Sequence, residues 1–160
     1  MQFKEVQKFA PWIMWFVRGL SILMILFFLW GYYQQVILGK PFGSNPGPDW
    51  MFPAILIFQA GFWYLFENMQ LKTEIDGSGV RMSFYPFAKK DIPLPSIQKA
   101  EIIDYGFVGG WGIRMGSKYG TVYNAQGKMG LWLRLKDGSK FVIGTQQKKE
   151  MQKVLDHYSI

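Results

Sequence analysis

The stretch PWIMWFVRGLSILMILFFLWGYY, Pro11 to Tyr33, carries a single charge, Arg18, and its reading decides the fold. A helix rises ~1.5 Å per residue, so ~20 apolar residues cross the ~30 Å hydrocarbon core of a bilayer. Trp12 and Trp15 stand near one end of the run, and Trp30, Tyr32 and Tyr33 at the other. Rings with one polar edge settle at the headgroup level, so this bracketing suits a membrane. A second run, WMFPAILIFQAGFWYLF from Trp50 to Phe66, has no charge and is flanked by Trp50, Trp63 and Tyr64. Two buried helices of a soluble domain are the alternative. They would be apolar all round, and the remaining about 90 residues are too few to cover both and build a core of their own.

The spacing predicts a transmembrane hairpin over residues 1–71, with helices at about 11–37 and 50–70. Gly39 to Asp49, GKPFGSNPGPD, reads as the turn, and Pro53 falls in the first turn of the second helix, where a missing N–H is harmless. Lys4 and Lys8 before the first run resemble a signal-peptide start. No small-residue cleavage site follows Trp30, however, so a retained anchor is expected. Lys4, Lys8, Arg18 and Lys72 lie on the side of the termini, whereas the turn has Lys40 offset by Asp49. Positive residues stay inside, which predicts that both termini and residues 72–160 are cytoplasmic. Arg18 costs roughly 2.5–3.5 kcal/mol at a helix centre. A snorkel back past Trp12 is the favoured reading; an ion pathway and a contact with Glu67 across the hairpin are the alternatives.

From Lys72 the pattern changes to short strands with turn punctuation. LKTEI and VRMSF flank Asp76-Gly77-Ser78-Gly79, and IQKAEIIDY reads as a further strand. Leu131–Leu135 and Lys140–Ile143 are joined around Asp137-Gly138, and strand candidates lie near Trp111–Met115 and Gly120–Tyr123. TQQKKEMQKVLDHY is helical, with Thr145 as its cap and Met151, Val154, Leu155 and Tyr158 on one face. About seven strands and one amphipathic helix imply a small, bent sheet or barrel plugged by that helix. Residues 72–160 carry 14 basic side chains against 8 acidic, a net of +6 out of the chain's +7.

This order of pieces resembles the bacterial pleckstrin-homology-like (PH-like) proteins in which two transmembrane helices precede the PH module. GGWGIR at Gly109–Arg114, VYNAQGKMGLWLRLKDG at Val122–Gly138 and FVIGTQQKKEM at Phe141–Met151 carry the resemblance. It implies a bent antiparallel β-sandwich or barrel capped by a C-terminal helix, anchored in a bacterial inner membrane, with an adaptor or scaffold role. The pattern departs from lipid-binding PH domains at the first hairpin loop, which is acidic here: Glu74 and Asp76 lie in or beside it, with Lys72 and Arg81 flanking.

The glycines of DYGFVGGWGIR, Asp104 to Arg114, raise the question of a phosphate loop. Such a loop opens a helix and supplies a Lys and a hydroxyl; here strand-like residues follow and no Gly-Lys-Ser/Thr is present. Gly109, Gly110, Trp111 and Gly112 are read instead as a bend where backbone approaches backbone and Trp111 fills the vacated space. Arg114 is expected to bridge to Asp104, a ligand contact being the alternative. With no cysteine and one histidine, His157, neither thiolate chemistry nor a histidine metal cluster is available, and no cofactor is expected. No serine sits in a nucleophile elbow and no carboxylates pair. The expectation is a non-enzymatic module that docks a protein partner or a copy of itself at the membrane, with an anionic-lipid sensor as the alternative. Nucleic-acid binding is disfavoured because the aromatics should fill the core, and no small-molecule substrate suggests itself. Candidate lipid or partner contacts are Lys72, Arg81, Lys89, Lys90 and Arg114.

Overall fold

Pro11, whose missing N–H costs nothing in a first turn, opens helix α1 (Pro11–Tyr32). A computed structural model describes residues 1–160, which divide into two compact units: Pro11–Asn68, and Met1–Ala10 together with Met69–Ile160. In the helical unit α1 continues as a π-helical turn, Tyr33–Ile37, and the resulting 27 residues are long and apolar enough to cross a membrane. Helix α2 (Met51–Asn68) packs against it in the antiparallel sense, as the descending partners show. Arg18 faces Glu67, Ser21 Oγ accepts from Gln59 Nε2 at 3.0 Å, and a Cβ at Gly31 would stand 2.7 Å from the Phe52 ring.

Two membrane-crossing helices are expected from sequence; one helix of the requisite length and apolarity is present. At ~1.5 Å per residue, the 18 residues of α2 rise roughly 27 Å. Its last two are Glu67 and Asn68, which shortens the apolar part further. Arg18 does not simply snorkel. Its Nε and Nη2 donate to the two carboxylate oxygens of Glu67 at 2.5 and 2.9 Å, a bidentate pair.

The β unit contains nine strands and one helix, not seven strands. Strands β1 (Phe3–Gln7), β2 (Gln70–Asp76), β3 (Gly79–Tyr85) and β4 (Ala88–Pro93) form one antiparallel sheet in that order. Strands β5 (Ile97–Asp104), β6 (Gly112–Ser117), β7 (Gly120–Asn124), β8 (Met129–Leu135) and β9 (Lys140–Gly144) form a second, in the order β5-β8-β9-β7-β6. Because β7 and β9 run parallel, the sheet is not purely antiparallel, and the sheets do not close into a barrel.

The inward rows of the first sheet bury Leu71, Ile75, Val80, Met82 and Phe84, each at most 2% exposed. Helix α3 (Lys148–Tyr158) buries Met151, Val154 and Leu155, three of the four residues whose helical spacing marks its apolar face. Thr145 does not cap it. Gln147 is the cap residue and has no side-chain bond; the Thr145 hydroxyl accepts from the Gln147 N–H and donates to Glu5.

Strand β1 changes the domain division. It pairs with β2 from Phe3↔Ile75 to Gln7↔Leu71, so the first ten residues, assigned on sequence to the helical segment, belong with the strands. Its inward side chains are Phe3, Glu5 and Gln7, each 4% exposed or less. Glu5 accepts from the Thr145 hydroxyl at 2.7 Å and from the Gln146 N–H at 2.8 Å, just ahead of α3, where a carboxylate also complements the helix dipole. Gln7 Nε2 donates to the Gly144 carbonyl at 2.6 Å.

Candidate functional site

The glycine-rich stretch folds over the outward face of the second sheet. Val122 and Val142 pair across β7 and β9 and are fully buried on that face, where Tyr105 packs against them with Ile103, Val108, Tyr119 and Trp132 around. Gly130 gives the Tyr105 ring its room, since a Cβ there would lie 2.9 Å from the ring. This sheet is therefore buried on both faces, with Leu131, Leu133, Phe141 and Ile143 on the other. The close-approach reading of the glycines themselves does not hold. No atom lies within 4 Å of a Cβ built on Gly109 or Gly112, and the only near neighbour of Gly110 is the Arg114 side chain. What the loop needs is positive φ: +65° at Gly106, +84° at Gly109, +118° at Gly110 and +106° at Gly112.

Arg114 does not reach Asp104. Its Nη2 donates to the Trp111 carbonyl at 3.0 Å, which holds the loop closed, and its Nε is buried without a partner. Asp104 instead accepts from the Gly106 N–H at 2.9 Å and pairs with Lys128 at 3.2 Å. The Gly106 N–H, with Lys128 next in importance, holds the Asp104 carboxyl below the ordinary range.

An open cleft of about 340 Å³ lies under this loop, lined by Gly106, Phe107, Val108, Gly110, Trp111 and Asn124, with Gly127 and Lys128 at its margin. Asn124 is 2% exposed; its Nδ2 donates to the Tyr105 hydroxyl at 3.2 Å, while its Oδ1 is buried with no partner. A buried carbonyl oxygen left unpaired costs roughly 1–3 kcal/mol. Burial pushes the Tyr105 phenol up, which keeps it neutral and able to donate to the Gly127 carbonyl at 3.3 Å. Beside the cleft the loop exposes Phe107 (84%), and at a separate opening β6 exposes Met115 (83%). A second opening of about 390 Å³ on the other side of Phe107 and Val108 is lined by Arg114, Met115, Lys118 and Tyr119.

The basic candidates do not form one site. Lys72 and Lys89 lie on the outward face of the first sheet, in the row Val6–Lys72–Ser83–Lys89. Arg81 is in the next row and is held by Glu74, at 3.3 Å, and by Asp76. Lys90 points inward and lies 5.1 Å from the centre of the Phe141 ring, so the Lys89-Lys90 pair is split across the sheet. Arg114 is on β6, in the other sheet.

The Asp76 carboxyl is lowered to about 2, first by the Ser78 hydroxyl and N–H and then by Arg81. An unfolded aspartate titrates near ~3.9, so the folded value is the lower one. The clamp therefore stabilises the native chain above that pH and loses its contribution as pH falls through the folded value. Asp76→Asn should melt earlier than the parent near neutrality, and the gap should close between pH about 4 and about 2. Thermal melts of the detergent-solubilised chain check this; a gap that persists undiminished at the acid end contradicts it.

No three His, Asp or Glu side chains come together as a metal site requires. His157 is exposed on α3 with its ring edge-on to Tyr158, and Asp156 accepts from Gln152. Asn124, Phe107 and Met115 are not recognisable as site residues from the sequence, because Phe107 meets Asn124 at one opening and Met115 at the other, across 17 and 8 residues of chain. No family model, curated protein or solved structure matches this chain.

Proposed function

We propose that this chain is a non-enzymatic, membrane-anchored interaction module whose β unit docks a protein partner through the cleft beneath the 105–111 loop. One observation carries the reading. Phe107 and Met115, the two most exposed large apolar side chains of the β unit, stand at two adjoining openings that share Phe107 and Val108. Exposed apolar side chains beside concave openings suit a partner that brings apolar side chains of its own.

In this proposal α1 and α2 form a hairpin in a bacterial inner membrane, with both ends of the β unit in the cytoplasm. The basic residues at the start of α1 and after α2 support that orientation. The few ångströms by which α2 falls short are accommodated by local bilayer thinning. A PH-like scaffold is the fold family most consistent with two sheets and a C-terminal helix packed on one another. The parallel β7–β9 pair departs from the antiparallel sandwich that such a scaffold implies.

Photo-crosslinking in intact membranes tests the docking site. A benzophenone side chain at position 115 should give a discrete adduct that Phe107→Asp abolishes, and one at position 107 an adduct that Met115→Asp abolishes, while the same group at position 136 gives none. An adduct of twice the chain's mass identifies a second copy as the partner. Adducts of equal yield from all three positions contradict the cleft.

A further inference from the structure

We propose that the outward face of the four-stranded sheet, at the end where the chain leaves for α1 and returns from α2, rests on anionic phospholipid headgroups. The inference rests on the reading of α1 as a membrane anchor. It concerns a surface separate from the cleft.

Covalent reach fixes where this end must be. Three residues separate Gln7 at the end of β1 from Pro11 at the start of α1, and Gln70 begins β2 with only Met69 between it and Asn68. At no more than ~3.6 Å per residue, Gln70 stays within roughly 7 Å of the end of α2, whatever angle the two units adopt. Register then orders the outward side chains by their distance from that end. Gln70 and Tyr85 come first, then Val6, Lys72, Ser83 and Lys89, then Lys4, Glu74, Arg81 and Asp91.

Charge separates along the same direction. In the far row, Glu74 holds Lys4 at 3.3 Å and Arg81 at 3.3 Å, and Asp76 also holds Arg81. The two near rows contain no acidic residue. Lys72 and Lys89 form no ion pair there, and Lys8, just beyond β1, is also exposed and forms none. Beside these lysines the β3–β4 tip exposes Tyr85 (46%) and Phe87 (58%), and β1 exposes Val6 (59%). Unpaired lysines interleaved with an aromatic tip match an anionic lipid surface, where ammonium groups meet phosphates and rings settle at the headgroup level. The attraction decays within a Debye length of about 8 Å, so only the near rows profit from it, and only those rows lack acids. An acidic protein partner would be drawn to the same charges, but nothing in the surface ties such a partner to the end nearest the helices.

Because the chain has no cysteine, a single reporter can be placed without background. The full chain carrying Phe87→Cys, labelled with an environment-sensitive nitrobenzoxadiazole, is reconstituted in nanodiscs of phosphatidylcholine with or without phosphatidylglycerol. Emission should shift to the blue, and quenching by neutral acrylamide should fall several-fold, only when phosphatidylglycerol is present. Lys72→Glu with Lys89→Glu should restore full quenching. Lys136→Glu with Lys140→Glu, an equal change of net charge at the exposed β8–β9 turn, should leave the protection intact. Matching circular dichroism of all variants excludes misfolding. Equal quenching in both lipids, equal effects of the two charge-reversed pairs, or protection that ignores lipid composition overturns the inference. A chain that never enters the discs overturns the anchor reading itself, and this inference with it.

Discussion

Removing residues 1–7 should abolish cooperative folding of the β unit, whereas joining Gln7 to Leu71 through a short Asn-Gly turn should yield a folded β domain without the helices. Phe3, Glu5 and Gln7 are all buried and lie on the inward face of the first sheet. Losing a core phenylalanine alone costs ~3–5 kcal/mol. Losing Glu5 leaves the Thr145 hydroxyl without its acceptor and the Gln146 N–H unpaired ahead of α3, roughly 1–3 kcal/mol for each group that stays buried. Losing Gln7 also removes the donor on the Gly144 carbonyl. Against a typical total of about 5–15 kcal/mol, the strand accounts for most of the domain's stability. Gln7 and Leu71 already face one another in antiparallel register, so a tight turn can replace the whole intervening segment without disturbing either strand. Far-ultraviolet circular dichroism and denaturant titration distinguish the two fragments. A cooperative transition in a fragment spanning 72–160 alone, equal to that of the joined fragment, would overturn this account. Glu5→Ala in the joined fragment should cost about 2 kcal/mol, mostly through the groups it orphans.

The same strand shows what the sequence conceals. In Phe-Lys-Glu-Val-Gln the inward positions hold one apolar and two polar residues, while the outward position 6 holds valine at 59% exposure. The apolar alternation that announces a strand is thus inverted, and the adjacent membrane run makes these residues look like a charged flank. Strand β4 hides for a related reason. Of its inward residues Ala88, Lys90 and Ile92, only Ile92 is strongly apolar, and Lys90 uses its stem and charge over the Phe141 ring. Strands with ordinary alternation, such as β2 and β3, are legible because burying one face against a core requires period two, whereas β8 and β9 are legible as apolar runs on either side of Asp137-Gly138. Turn chemistry was legible too: Asp76 and Asp137 each accept from an N–H two residues on, as turn aspartates do. The 105–112 loop was legible only as non-helical. Whether its glycines serve close approach or positive φ depends on what stands opposite them, and that is decided by β7, β8 and β9 rather than by the loop's own residues. Asn124 reads as an ordinary strand-end residue, and nothing in the sequence announces that its Nδ2 donates to the Tyr105 hydroxyl while its Oδ1 is buried without a partner.

Arg18→Leu should weaken the helical hairpin, the opposite of what a free snorkelling arginine would do. Were Arg18 only reaching for the interface, leucine would remove a charge from an apolar helix and favour the membrane-inserted state. In the structure the guanidinium instead holds both carboxylate oxygens of Glu67 and lies 5.4 Å from the centre of the Trp15 ring, while Trp63 Nε1 donates to Glu67 at 3.3 Å. Losing Arg18 removes the positive charge that both Glu67 carboxylate oxygens engage, and losing Glu67 leaves the guanidinium in an apolar helix. Each single change should therefore destabilise the hairpin, because an uncompensated charge is worse than a pair. Arg18→Leu combined with Glu67→Leu should cost less than either alone, since the paired charges vanish together and two apolar side chains take their place. Trp63→Phe keeps the ring and loses one long hydrogen bond, and should cost below about 1 kcal/mol. Helix content followed through a titration from mild detergent into dodecyl sulfate gives all four values. Costs that add across the cycle, or a stabilised Arg18→Leu chain, would show that the two helices are held by apolar packing alone and that the ion pair is incidental.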